Sequence, residues 1–145
     1  MTIRLLQERD AGAIADLNTQ LGYPSSEGQV LARIQSLAAS GNDTVLVAAA
    51  GDGRAIGWIH LRGFNSLHGE PMAEICGMVV NEAQRGTGIG TQLIAAAQQW
   101  AKARGFGSMR VRSNALRKDA HRFYERVGFQ LSKTSLTFQK RVEVP

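Results

Sequence analysis

A chain of 145 residues with 43% hydrophobic and 20% charged side chains is expected to form one domain over 1–145 around a single core, and it carries neither internal repeats nor low-complexity runs. Its 17 Lys+Arg against 12 Asp+Glu give a formal charge of +5, which suits any polyanionic partner, while the lack of an apolar run approaching 18 residues predicts no membrane span. Cys76 is the sole cysteine and MTIRLLQERD has no long apolar stretch, so an intrachain disulfide is excluded, a signal peptide is not expected, and a reducing, cytoplasmic setting is.

Residues 2–7 alternate enough to make a first strand, and Asp10 then caps a helix in which Ile14, Leu17 and Leu21 recur at helical spacing until Gly22 and Pro24 stop it. A second helix should start at Ser26, because Ser26 and Gln29 have capping-box spacing and Val30, Ile34 and Leu37 give a buried stripe. Residues 44–50 and 54–62 are β-rich runs joined through Gly51-Asp52-Gly53, residues that tolerate positive φ, so they read as adjacent antiparallel strands. On the second run Trp58, His60 and Arg62 share one face. Met72–Val80 is apolar on both faces, the mark of a central strand covered on each side.

A helix over 88–104 has Ile89, Leu93, Ala97, Trp100 and Ala101 on one stripe and Gly105 as its stop. The strand expected over 108–112 then completes a right-handed strand-helix-strand unit with parallel strands. A further helix over 119–127 ends at Gly128, and a last strand is expected over 135–140. The histidines are scattered without metal-ligand spacing, so no metal is expected.

The chain is organised around MVVNEAQRGTGIGTQL, in which an apolar strand breaks into a glycine-rich turn and a helix follows at once. Gly86, Gly88 and Gly90 remove side chains that would block close approach, and Arg85 adds a positive charge, so backbone N–H groups can converge on a phosphate or pyrophosphate. The spacing is neither that of a Walker loop nor that of a dinucleotide fingerprint, which would need Gly where Thr91 stands. Arg85-x-x-Gly88-x-Gly90 resembles the acetyl-CoA loop of the GNAT superfamily of N-acyltransferases. SNALRKDAHRFYERVGF, from Ser113 to Phe129, looks like that superfamily's closing segment.

The resemblance implies an α/β three-layer sandwich: a mixed, mostly antiparallel sheet with one parallel β-α-β unit and about four helices. It implies acetyl-CoA as co-substrate, held by Arg85, Gly86, Thr87, Gly88, Ile89, Gly90 and Thr91, by the strand end Met78, Val79 and Val80, and by Asn114 and Phe123. The acceptor is then a primary amine of a small molecule or peptide, with Tyr23, Trp58 and His60 on its side of the site. Nucleic acid and membrane are not expected as partners, and a homodimer is left open.

An alkyl amine with a pKa of roughly 10 must lose a proton before it attacks. Glu74 is the candidate base, because sharing a strand face with Met72, Cys76 and Met78 would raise its pKa. Tyr124 is the candidate acid for the departing thiolate. Periodicity alone also fits it into a core stripe with Ala120, Phe123 and Val127, and the resemblance favours the acid. Cys76 reads as a buried strand residue, and the basic residues from Arg110 to Arg126 read mostly as a solvated face. The competing function is a catalytically silent acyl-CoA sensor or interaction domain. A nucleic-acid-binding protein ranks below both, because the aromatics near the basic cluster look buried.

Overall fold

The computed structural model describes residues 1–145, which divide into two compact units, Met1–Arg112 and Ser113–Pro145. The first unit is built on a five-stranded sheet in the order β1-β2-β3-β4-β5. Its strands are β1 (Thr2–Leu5), β2 (Asp43–Ala49), β3 (Ala55–Phe64), β4 (Met72–Val80) and β5 (Met109–Val111). The first four pair antiparallel and β5 runs parallel to β4. The helices of this unit are α1 (Ala11–Leu21), α2 (Glu27–Ala38) and α3 (Ile89–Ala103).

Local chemistry sets the element ends. Gly22 takes φ +99° and its N–H caps α1 on Asn18 and Thr19 carbonyls. At the start of α2, Gln29 N–H donates to Ser26 Oγ at 3.1 Å and Ser26 N–H donates to Gln29 Oε1 at 3.0 Å, the reciprocal box expected from the sequence.

The helices form two layers around the sheet. Val47, Trp58 and Val79 lie in one register row and pack with Leu17, Val30 and Ile34 of α1 and α2. Ile89 and Leu93 of α3 instead come closest to Gly57, on the opposite face. Ile59, Leu61 and Leu93 are fully buried at 0% exposure, each contributing about 1.5–3 kcal/mol of transfer free energy. A bidentate pair between Arg4 and the buried Asp10 fastens β1 to the start of α1, with both N–O distances 2.8 Å.

The second unit contains one helix, α4 (Lys118–Arg126), and no strand. The strand expected over 135–140 is therefore a correction. Leu136 and Phe138 alternate as a strand would but stay 81% and 88% exposed, since a strand needs a ladder partner for its backbone and this unit supplies none.

Candidate functional site

Residues 85–88 turn the end of β4 into α3. Gly86 and Gly88 adopt φ +82° and +88°, conformations that L side chains rarely take, which explains glycine at both positions. Gly88 is the N-cap of α3 without a side-chain cap, so the first N–H groups of this 15-residue helix remain open to an outside acceptor. Thr87 Oγ1 donates to the Gln84 carbonyl at 2.5 Å and braces the turn. Arg85, Gly86, Thr87, Gly88 and Thr91 are exposed, Gly90 is half-buried, and Ile89 is buried. The glycine-rich turn expected from the sequence is thus formed, with Ile89 anchoring it to the core.

Beside the loop the sheet opens. The parallel register of β4 with β5 runs only from Ala73↔Met109 to Ile75↔Val111, and beyond it β4 pairs with β3 alone. Met78, Val79 and Val80 therefore present one backbone edge with no strand against it. On the β3 side the register shifts at Cys76, with Leu61 opposite Ile75 and His60 opposite Gly77. Because paired residues share a face, Glu74 lies with Met72, Gly77 and Val79, while Met78 lies with Ile59 on the other side. The expected grouping of Glu74 with Met78 is corrected by this bulge. A Cβ on Gly77 would meet the Trp58 ring at 3.0 Å, so glycine here lets the indole lie flat against β4.

Arg62, Glu74 and Arg110 stand in one register row across β3, β4 and β5. Glu74 is only 5% exposed. Its Oε1 accepts from Arg62 Nη2 at 2.8 Å and Nε at 3.1 Å, and its Oε2 accepts from Arg110 Nε at 2.6 Å. Arg112 Nε stands 3.9 Å from Oε2. Burial alone would raise the Glu74 pKa, but the Arg110 and Arg62 guanidiniums outweigh it and hold the carboxyl below its ordinary value. The expected upward shift is therefore reversed. Arg110 is also not part of a solvated face: it stacks 4.0 Å from the Phe64 ring centre, and its Nη2 is buried without a partner.

Arg62, Glu74 and Arg112 belong to an open pocket of about 260 Å³, lined also by His60, Ile75 and Cys76. His60 Nε2 is 2.7 Å from Asp43 Oδ1, and Asp43 also accepts from Ser40 Oγ. Burial would raise the Asp43 pKa; the Ser40 and His60 bonds overcome it and keep the carboxylate ionised below its usual range. Cys76 is exposed at the bulge rather than buried as expected. Partial desolvation pushes its thiol up to about 11, with Arg62 opposing and the Glu74 and Asp43 carboxylates adding to the rise. Trp58 donates to Asn18 Oδ1 at 3.2 Å and packs against the core, and Tyr23 lies exposed in the α1–α2 loop. Neither lines this pocket, whereas His60 does.

In the second unit, Tyr124 stacks edge-on with Phe123 and Phe129 at centroid distances of 5.5 and 5.8 Å. Burial pushes its phenol above the usual value against the pull of Arg117. Asn114 Oδ1 accepts from Leu116 N–H at 2.9 Å and its carbonyl meets His121 Nε2 at 2.8 Å, a turn that leads into α4. Arg126 lies over the Phe123 ring.

The Arg62-Glu74-Arg110 row, Asp43 beneath His60, and Arg112 at the pocket rim escaped the sequence reading. Their signal was the parity of His60-x-Arg62 and Arg110-x-Arg112, polar residues repeating on one strand face.

The acetyltransferase (GNAT) family model matches residues 12–129 of the chain. Aminoglycoside N(6')-acetyltransferase type 1 of Stenotrophomonas maltophilia is 28% identical over 146 residues, spanning 98% of this chain and 94% of its own. Aminoalkylphosphonate N-acetyltransferase of Salmonella typhimurium is 37% identical over 87 residues, 59% of this chain and 56% of its own. The solved structure of aminoglycoside N-acetyltransferase AAC(6')-Iy in complex with CoA has the same fold, with a TM-score of 0.84 at 23% identity over 97% of this chain and 95% of its own.

Proposed function

The chain belongs to the acetyltransferase (GNAT) family, and we propose that it moves an acetyl group from acetyl-CoA to a primary amine of a small molecule by direct attack in a ternary complex. The observation that carries this reading is the opening of β4 from β5 beside a positive-φ loop that feeds an uncapped helix N-terminus. N–H groups from Arg85 to Thr91 hold the pyrophosphate of acetyl-CoA. The free edge of Met78, Val79 and Val80 pairs with the pantetheine arm, and a backbone N–H there polarises the thioester carbonyl. Asn114 and Phe123 complete the cofactor set. The family match runs through both units, which supports one acetyltransferase domain.

The amine nitrogen attacks the thioester carbon, the C–S bond breaks, and the thiolate takes the Tyr124 phenol proton. With its pKa raised by burial the Tyr124 phenol stays protonated until the thiolate forms, but it is a weaker acid than the departing thiol and gives up its proton only as that charge develops. Glu74 keeps a place in the site, but with both oxygens on guanidiniums it accepts a proton poorly and serves to fix Arg62 and Arg110. His60, carried on Asp43, takes the amine proton instead. Tyr23 and Trp58 flank the acceptor side at a greater remove.

No helix is long and apolar enough to cross a membrane; we place the enzyme in the cytoplasm, in keeping with its lone free thiol. Exposed Leu131, Leu136, Phe138, Val142 and Val144 support a homodimer, which sedimentation would test.

Calorimetric titration with acetyl-CoA tests the core of the reading. The protein should bind with a dissociation constant on the order of micromolar to submillimolar, and Thr87→Glu, which sets a negative charge in the loop without touching a positive-φ residue, should abolish binding, with Tm lowered only by the loss of the Thr87–Gln84 bond. An intact protein that does not bind acetyl-CoA overturns the proposal.

A further inference from the structure

Aminoglycosides and aminoalkylphosphonates, the acceptors named for two relatives of this chain, differ in one physical respect. An aminoglycoside is a polycation, whereas an aminoalkylphosphonate carries an acid group beside its amine. The pocket distinguishes them by charge. Three guanidiniums, of Arg62, Arg110 and Arg112, gather around the single carboxylate of Glu74, and Asp43 is the other acidic group nearby. The pocket is one positive charge in excess before any proton on His60 is counted.

The excess is also available to a ligand. Arg110 is held by Glu74 and the Phe64 ring with its unpartnered Nη2 buried, but Arg62 is 44% exposed with its Nη1 free of any partner, and Arg112 is 68% exposed with only the 3.9 Å approach to Glu74. Both line the cavity with His60. A guanidinium offers a planar fork of donors that matches the oxygens of a carboxylate or phosphonate.

Resting on the acetyl-CoA reading, we infer that the acceptor is an amine bearing its own acid group, phosphonate or carboxylate, seated on Arg62 and Arg112 with its nitrogen toward His60. The same charges assist the chemistry. Guanidiniums near an alkylammonium favour its neutral, nucleophilic form. That benefit repels a simple cation at the binding step, and an acceptor with its own anion escapes the conflict. A polycation meets the repulsion at several positions with nothing to offset it.

The test uses the intact protein and acetyl-CoA, with initial rates measured for 2-aminoethylphosphonate, β-alanine and kanamycin. The two acidic amines should exceed kanamycin in kcat/KM by about tenfold or more, and raising the salt should increase their KM. Their ratio separates phosphonate from carboxylate as the preferred group. Arg112→Gln lies on an exposed side chain that the fold does not need; it should raise KM for the better acidic amine about tenfold and leave acetyl-CoA affinity unchanged by calorimetry. Preference for kanamycin, or an unchanged KM in Arg112→Gln, overturns the inference while acetyl-CoA binding keeps the reading beneath it intact. Loss of acetyl-CoA binding by the unmutated protein would instead remove that reading.

Discussion

Asp10 and Glu74 are both buried carboxylates, 4% and 5% exposed, and both are held by arginine, yet they do opposite things. Asp10 meets one guanidinium in a closed bidentate pair and also accepts the Gln7 N–H at 2.8 Å, while Arg4 spends a remaining donor on the Gly53 carbonyl. Charge and donors balance, and nothing is left for a ligand. Glu74 sits in the middle of three guanidiniums that it cannot neutralise, two of them open to solvent in a pocket. A balanced buried pair fastens structure; an unbalanced one at a cavity wall stores attraction for something that arrives later.

The largest effect should come from breaking the balanced pair. Asp10→Ala leaves Arg4 inside with no anion and frees the Gln7 N–H, so unfolding by urea should show a loss of about 3 kcal/mol. Loss below about 1 kcal/mol would mean the pair behaves as a surface ion pair and the comparison fails.

Glu74→Gln should cost less, roughly 1–2 kcal/mol, because Arg62 and Arg112 can turn to water. Its more telling result is kinetic. Removing the central negative charge leaves the guanidiniums unopposed, so KM for an acidic amine should fall or hold while kcat drops as Arg62 and Arg110 lose their fixed positions. A rise in KM alone would show that Glu74 binds the ammonium directly.

Acid titration sharpens the comparison further. Asp10 and Glu74 have folded pKa values below their ordinary ones. For Asp10, too, burial acts upward and is outweighed by the Arg4 and Gln7 bonds. Groups of this kind contribute stability above their unfolded pKa values near 4, and lose it as pH falls through the lower folded values. Stability should therefore be flat from neutrality to about pH 5 and then fall, each group adding at most about 1.4 kcal/mol per pH unit. Asp10→Asn should flatten the slope on the acid side. An unchanged slope would deny Asp10 its lowered pKa.

How much of this was legible in the sequence depends on whether a feature is local. The α2 cap, the Gly51-Asp52-Gly53 hairpin and the loop from Arg85 to Gly90 follow from residues a few positions apart, and the structure reproduces them. Met72–Val80 is legible to the residue because, Glu74 apart, a strand buried by its neighbours is apolar. The clamp on Glu74 was not legible: it requires Arg62, Glu74 and Arg110 to share a register row on three strands, and one bulge at Cys76 decides which side chains face the pocket. From alternation alone, Glu74 looked set in apolar company and Cys76 looked buried. The strand expected over 135–140 failed for the complementary reason, since alternation reports a competent segment and not the partner it needs.

Cys76 gives the smallest effect and reads the same electrostatics from the side. Its thiol, pushed up to about 11 by desolvation with the Glu74 and Asp43 charges adding to it, holds far less thiolate at pH 8 than an ordinary cysteine, though a higher pKa makes each thiolate more nucleophilic. The two effects combine to predict alkylation by iodoacetamide about tenfold slower in the folded protein than in the unfolded chain. Glu74→Gln should recover part of that rate, because it removes a carboxylate that opposes the thiolate and releases Arg62 toward the sulfur. Asp10→Asn, on the far pair, should leave it unchanged. Equal labelling of Glu74→Gln and the unmutated protein would show that the thiol does not sense Glu74, and that the guanidinium excess around it is screened before it reaches the pocket mouth.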